Sequence, residues 1–371
     1  MWGFLYRSSI GAVRNWLRCR ISLSRLFATW RAAASLPLVY LGWAKDFWNP
    51  FEWYSQVEKN IPATYFLIPF KRRAGDHLSP RQASRRATAY DITDIPNQTA
   101  TLMKDGFEVG VHGIDAWHSI DKGRDELSRI GAVTGKRNIG IRMHWLLRDG
   151  ETPSALEQAG YAYDSTAGYN ESIGYCNGTA QVFRPLSAEA LLELPLHIQD
   201  GALFYPQRLD LPESEAWERC QVIVDNARRL GGVITTLWHD RSHAPERFWG
   251  EFYLRLVQAL KSYDAWFSTG IDLVSWFQRR RNVWFDRTQA ADGSSRTRLH
   301  YEGEEIHPPL KVRVYRPSEA IRDQQFHRDS TSTFSDLSWD GKPMLELDLT
   351  INAWEAEAPL HRMEQSICLV H

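Results

Sequence analysis

Histidines, arginines and acids that stand just past short apolar runs are the residues of this chain best placed to do chemistry. The most informative run is Gly106-Phe-Glu-Val-Gly-Val-His112-Gly-Ile-Asp115-Ala-Trp-His118. Phe107 to Val111 alternate bulky, polar and small side chains at the period of a strand, Gly106 marks the turn before them, and an imidazole stands where the strand should stop. A divalent metal needs neutral imidazole and ionised carboxylate converging on one point, and the turn at Gly113 lets His112, Asp115 and His118 curl around one centre. The two histidines lie six residues apart, which is not a helix-face spacing, so a satisfied structural histidine is the competing reading of this stretch alone.

Further runs end in the same way. Ile139 to His144 closes on Arg142-Met-His144-Trp145, Tyr161 to Asp164 on a carboxylate, and Val233 to Trp238 on His239-Asp240. Between these runs lie helical stretches at Asp94–Asp105, Ser119–Lys136, Pro212–Leu230 and Glu246–Ser262, with a further helix that starts at Thr152-Pro153 and is stopped by Gly160. Ala63 to Phe70, Leu191 to Leu196 and Ala265 to Ser268 read as further strands, and Ile271 to Arg280 as a last helix. Lys71 to Ala89 reads as a long polar loop over one end of the sheet. Strands alternating with helices imply parallel crossovers, and their number points to a closed or nearly closed (β/α) barrel, whose reactive groups sit at the C-terminal strand ends.

Past Arg281 the texture changes to half-exposed antiparallel strands at Thr297–Tyr301, Leu310–Tyr315 and Met344–Leu349, with a surface loop at Arg328–Asp336. The expected organisation is therefore an α/β barrel over 1–285 and a small β-rich domain over 286–371.

A chain of 371 residues with formal charge -1 buries a large core and is not a nucleic-acid binder held by charge. Four dispersed cysteines form no Cys-x-x-Cys pair, so neither a disulfide framework nor a thiolate zinc site is indicated. The 16 Trp residues serve either as stacking faces for sugar rings or as core filling. No apolar run approaches the roughly 20 residues that span a bilayer, and no secretory signal is visible, so the expectation is a cytoplasmic protein. Residues 1–45 carry six Arg and one Lys without an acid, mixed with apolar residues at helical spacing. That pattern suits a transit peptide, a membrane-surface helix or an outer barrel helix with snorkelling arginines, the last being favoured.

With these residues assembled, the chain resembles the polysaccharide deacetylases of the NodB-homology type, metal-dependent carbohydrate esterases on a distorted (β/α) barrel. The resemblance spans about Trp43 to Arg281 and rests on Ala63-Thr-Tyr-Phe-Leu, Glu-Val-Gly-Val-His112, the Arg142 segment, Tyr163-Asp164-Ser-Thr and Leu237-Trp-His239-Asp240. It implies that His112 ligates a divalent metal, zinc by preference; His118, with Asp115 beside it, is the candidate for the second ligand, and His144 either lines the pocket or reaches the metal. His239 would be the general acid, Asp164 would orient that histidine, and Arg142 would hold the catalytic carboxylate. His144, Trp145 and Trp238 would line the sugar site, with Trp117 beside it.

Three departures accompany the resemblance. Ala116 stands where the family's second metal histidine usually falls, and Arg142-Met-His144-Trp145 replaces Arg-x-Pro-Tyr. The aspartate pair of the family's first strand has no counterpart before Ala63. The expected function is removal of N-acetyl groups from sugars of a polysaccharide or glycoconjugate, with the chain as it starts at Met1 a poor enzyme because that first strand is missing and leaves a gap in the sheet. The alternatives are a non-catalytic carbohydrate-binding or truncated pseudo-enzyme and, more weakly, hydrolysis of a small cyclic amide.

Overall fold

The computed structural model describes residues 7–19, 21–44, 47, 51–245, 247–263, 265–289, 295–303, 307–315, 334–339, 344–348 and 365–370. The fold is mixed α/β. Helices α1 (Ala12–Leu17), α2 (Leu23–Tyr40) and α3 (Phe51–Val57) precede strand β1 (Thr64–Leu67). Then follow α4 (Pro80–Arg86), α5 (Pro96–Lys104), β2 (Glu108–Gly113), α6 (Ile120–Thr134), β3 (Ile141–Met143) and α7 (Thr152–Ala159). After β4 (Ile198–Gln199) come α8 (Asp200–Phe204), α9 (Glu213–Leu230), β5 (Val233–Leu237), α10 (Gly250–Lys261), β6 (Ala265–Ser268) and α11 (Gly270–Arg281).

Local chemistry explains the boundaries. Ser119 accepts the Lys122 amide to start α6, and Gly135 ends it in the left-handed region at φ 69°, where a side chain would be strained. Gly160 ends α7 the same way at φ 97°. The stretch expected as a loop contains α4, because Ser79 and Gln82 form a capping box and Pro80 occupies the first turn.

All four residues of β1 are buried, as a strand covered on both faces requires. The main sheet is parallel, in the order β3-β2-β1-β12-β5-β4, where β12 is Gln365–Val370, with β6 also on β12. Beyond β3 the backbone bonds continue: the Ile141 amide donates to Tyr163 (3.0 Å), Asp164 to Leu192 (3.0 Å) and His197 to Thr235 (3.1 Å). Tyr161–Asp164 and Leu191–Leu196, expected as strands, keep only single bridges at Asp164 and Glu193. Val111, Ile130, Ile141, Leu156, Ile234 and Leu256 belong to one buried core shared by sheet and helices.

Beside β1, where a gap is expected from the sequence, stands a strand from the C-terminal region. Strand β12 (Gln365–Val370) comes from the far end of the chain and pairs Ser366 to Val370 with Val233 to Leu237, while Val370 also pairs with Thr64 of β1. Strand β12 thus stands between β1 and β5, with one residue pair to β1 and five to β5.

The chain divides into two compact units, Met1–Leu273 with Glu364–His371, and Val274–Met363. Relative to the sequence boundary at 285/286, α11 is cut and the last strand returns to the first unit. In the second unit, β7 (Trp284–Gln289), β8 (Ser295–His300) and β11 (Met344–Asp348) form an antiparallel sheet in the order β11-β8-β7. There β9 (Leu310–Tyr315) pairs antiparallel with β10 (Phe334–Trp339), which takes the last residues of the expected 328–336 loop. Among the described residues no helix is long and apolar enough to cross a membrane.

Candidate metal and catalytic site

His112 is the fifth residue of β2 and pairs in register with Arg142 of β3. Gly113 has to follow it, because a Cβ there would stand 2.5 Å from the Met143 sulfur. The chain leaves β3 through a tight turn in which Trp145 and Leu146 adopt φ values of 67° and 53°. Such conformations are costly for side-chain-bearing residues and persist where surrounding contacts enforce them. Here the enforcing donors are Asn170, whose side-chain amide donates to the Trp145 carbonyl (2.8 Å), and Arg86, which donates to the His144 carbonyl (3.0 Å).

The turn brings the His144 Nδ1 to 2.7 Å from the His112 Nε2, with the rings edge to face. Enclosure by protein, then the neighbouring His144, His239, Arg142 and Arg86, holds His112 well below its usual range. Burial, Arg86 and His239 push His144 down to about 3. Both rings are therefore neutral at neutral pH, and the His112 Nδ1 is buried with no hydrogen-bond partner among the described residues.

His239 follows β5. Its Nδ1 lies 2.6 Å from Asp200 Oδ1, and its amide donates to Asp200 Oδ2 (2.9 Å), so both carboxylate oxygens fix one residue. The Ser242 hydroxyl also donates to Oδ2. Burial alone would raise the Asp200 carboxyl, but His239 and these donors hold it below the ordinary range. From the other side, the Tyr54 hydroxyl donates to the His239 carbonyl (2.8 Å).

The carboxylate bonded to His239 is thus Asp200, where Asp164 is the one expected from the sequence. Asp164 turns back on its own segment, accepting the Thr166 amide (3.0 Å) and hydroxyl (2.5 Å), and shares a proton with buried Glu193. Burial raises both acids, so the pair titrates as a unit. Arg142 is fully buried, its Nε and one terminal nitrogen donating to the Ser165 carbonyl (2.7 Å) and hydroxyl (2.6 Å).

Trp238 cannot offer a sugar face: it is fully buried, stacked on Phe252 with an interplanar angle of 6°, and donates to the Trp249 carbonyl. Trp145 is half-buried and stacks on His144, with ring centroids 5.9 Å apart. Trp117 is half-buried against His77 and His118.

His118 joins a different cluster. Its Nε2 lies 3.3 Å from Asp115 Oδ1, and ligand atoms of Asp76, Asp115 and His118 all fall within 4.8 Å of one another, a set without His112. The Lys122 ammonium already bridges the two acids, bonded to Asp76 and 3.4 Å from Asp115 Oδ2. Glu126 anchors this loop from below by accepting the Ile114 (2.8 Å) and Asp115 (2.7 Å) amides. Burial raises its carboxyl to about 7 against the pull of those donors.

Asp200, Arg86, Tyr54 and Glu126 were not singled out from sequence. Asp200 had a signal, since it ends the run through Leu196, His197 and Ile198 much as His239 ends its own. Arg86 had none, because a buried arginine inside a basic, polar stretch reads as surface.

No family model and no curated protein matches the chain. Among solved structures, one described as a "putative polysaccharide deacetylase from Mycobacterium smegmatis" superimposes with a TM-score of 0.45 at 19% identity, covering 63% of this chain and 78% of that one.

Proposed function

We propose that the chain is a metal-dependent deacetylase on a distorted, closed (β/α) barrel, hydrolysing N-acetyl groups on sugars of a polysaccharide or glycoconjugate. The observation that carries this reading is the His112–His144 imidazole pair, 2.7 Å apart, whose electrostatic surroundings include His239, a histidine oriented by the buried Asp200 carboxylate. The residues fit a divalent cation: both rings are neutral, and His112 Nε2 and His144 Nδ1 face each other at 2.7 Å, so two imidazole nitrogens converge on one point. His112 and His144 would hold it, with zinc the natural choice for imidazole donors. A bound cation polarises the amide carbonyl and acidifies a water.

The chain's own residues do the rest. Asp200 fixes the ring of His239 through Nδ1, which leaves Nε2 to deliver a proton to the departing amine. Arg142, locked on Ser165, and Arg86 supply fixed positive charge around the reacting centre. The exposed part of Trp145 offers a stacking face for a sugar ring.

One observation favours the second reading, a non-catalytic carbohydrate-binding protein. The strand that stands beside β1 carries no acid between Gln365 and Val370, where the resemblance calls for the catalytic base. Acetate release from an N-acetylglucosamine oligomer with added zinc decides between them. The deacetylase reading expects release that falls about 10² to 10⁴-fold in His239→Ala. Equal release by both proteins removes His239 from the mechanism, and glycan binding without release establishes the second reading.

A further inference from the structure

The N-terminal helices are two-faced in a way the core does not require. On its inner side α2 buries Leu26, Thr29 and Leu36, and the Thr29 hydroxyl donates to the Pro245 carbonyl (3.0 Å). Arg25 clamps this side to Glu213 (2.7 Å) and Glu251 (2.5 Å). The helix is thereby fixed, and its other side should be polar.

It is apolar instead. Leu23, Phe27, Trp30, Leu38 and Leu41 recur along the outer face at helical spacing, with Phe27 56%, Trp30 42% and Leu41 60% exposed. Helix α1 and the turn before it continue the surface: Ile10, Val13 and Leu17 line, with Trp30, an open groove of about 680 Å³, and Leu17 is 69% exposed. A contiguous exposed apolar patch of this kind marks an interaction surface.

Charge identifies the partner. Residues 1–45 contain six Arg, one Lys and no acid. Arg14 and Arg18 line the same groove, Arg31 is exposed next to Trp30, and none of these three has a carboxylate partner among the described residues, in contrast to Arg25. Aromatic and aliphatic side chains ringed by unpaired guanidinium groups match the boundary of a bilayer, where apolar groups enter the acyl region and cations meet phosphate. We infer that α1 and α2 dock the protein flat on an anionic lipid surface, without crossing it. The inference rests on these two helices alone and stands whether or not the catalytic reading holds.

Flotation of the full chain with phosphatidylglycerol-containing and pure phosphatidylcholine vesicles tests it. Binding should require the anionic lipid and weaken with salt. Arg14→Gln with Arg18→Gln should lower partitioning about 25-fold, from about fivefold per basic residue. Phe27→Ser with Trp30→Ser should abolish it while circular dichroism stays unchanged. Absence of binding to the anionic vesicles overturns the inference, as does binding that neither double variant alters. A dimer in sedimentation that the Phe27/Trp30 variant dissolves would also overturn it, by assigning the face to a second copy.

Discussion

At the end of β2 the chain builds two clusters from the same residue types within seven positions. His112 meets His144 on one side, while Asp115 and His118 meet Asp76 on the other. The second has the composition of a metal site, three donors within 4.8 Å, yet Lys122 already neutralises its acids. The first has fewer donors, but its rings are neutral and one nitrogen is unsatisfied among the described residues. A site is defined by donors that the protein has left unpaired. Spacing in sequence does not reveal that, since the pairing partners arrive from elsewhere: Arg86 and His144 for one cluster, Lys122 and Asp76 for the other.

The largest test of this contrast is Asp200→Asn. It keeps the shape around His239 but loses the anion that orients the ring, and acetate release should fall about 10²-fold or more. Because the folded-state carboxyl is depressed, its stabilising contribution is present above the ordinary carboxylate range and is lost as pH falls through the folded value. Acid unfolding of the wild type should show this loss, and the Asn variant should lack it. The Asp115 cluster should be untouched, and a change there would mean the clusters are coupled.

Next in size is Ile367→Pro, which removes one ladder amide of β12 between β5 and β6. Since β12 shares five residue pairs with β5 and one with β1, amide exchange should quicken across Val233–Leu237, ahead of His239. The amides of Ile114 and Asp115, held by Glu126, should stay slow. Equal quickening of both regions would contradict the register.

Lys122→Ala should turn the closed cluster into an open one. Equilibrium dialysis with zinc should then show an added, weaker equivalent at Asp76, Asp115 and His118, absent from the wild type. The smallest expected effect is that of Glu126→Gln. A carboxyl raised to about 7 makes the fold most stable below its unfolded pKa, and that stability falls as pH rises toward 7. Denaturant unfolding at pH 5 and pH 7.5 should show this slope in the wild type and a flatter one in the variant.

Much of the architecture was legible. Apolar runs placed the main strands of the first unit, and with them His112 near the end of β2 and His239 just past β5. Two things were not. Asp164 and Asp200 both end apolar runs, and the backbone turn at Thr166 that draws Asp164 away depends on pairing with Glu193. Strand β12 lies in the stretch expected to be the C-terminal β domain and is not among the strands expected there; its partners Val233–Leu237 lie about 130 residues earlier, and parallel pairing leaves no local signature.

The central claim is that His112 belongs to the open cluster and His118 to the closed one. Cobalt(II) titration of His112→Ala and His118→Ala, followed by absorbance and competition with a chelator, tests it directly. His112→Ala should lose the bound equivalent, and His118→Ala should keep it with wild-type affinity. Retention by His112→Ala together with loss by His118→Ala would contradict the account and move the metal to Asp115.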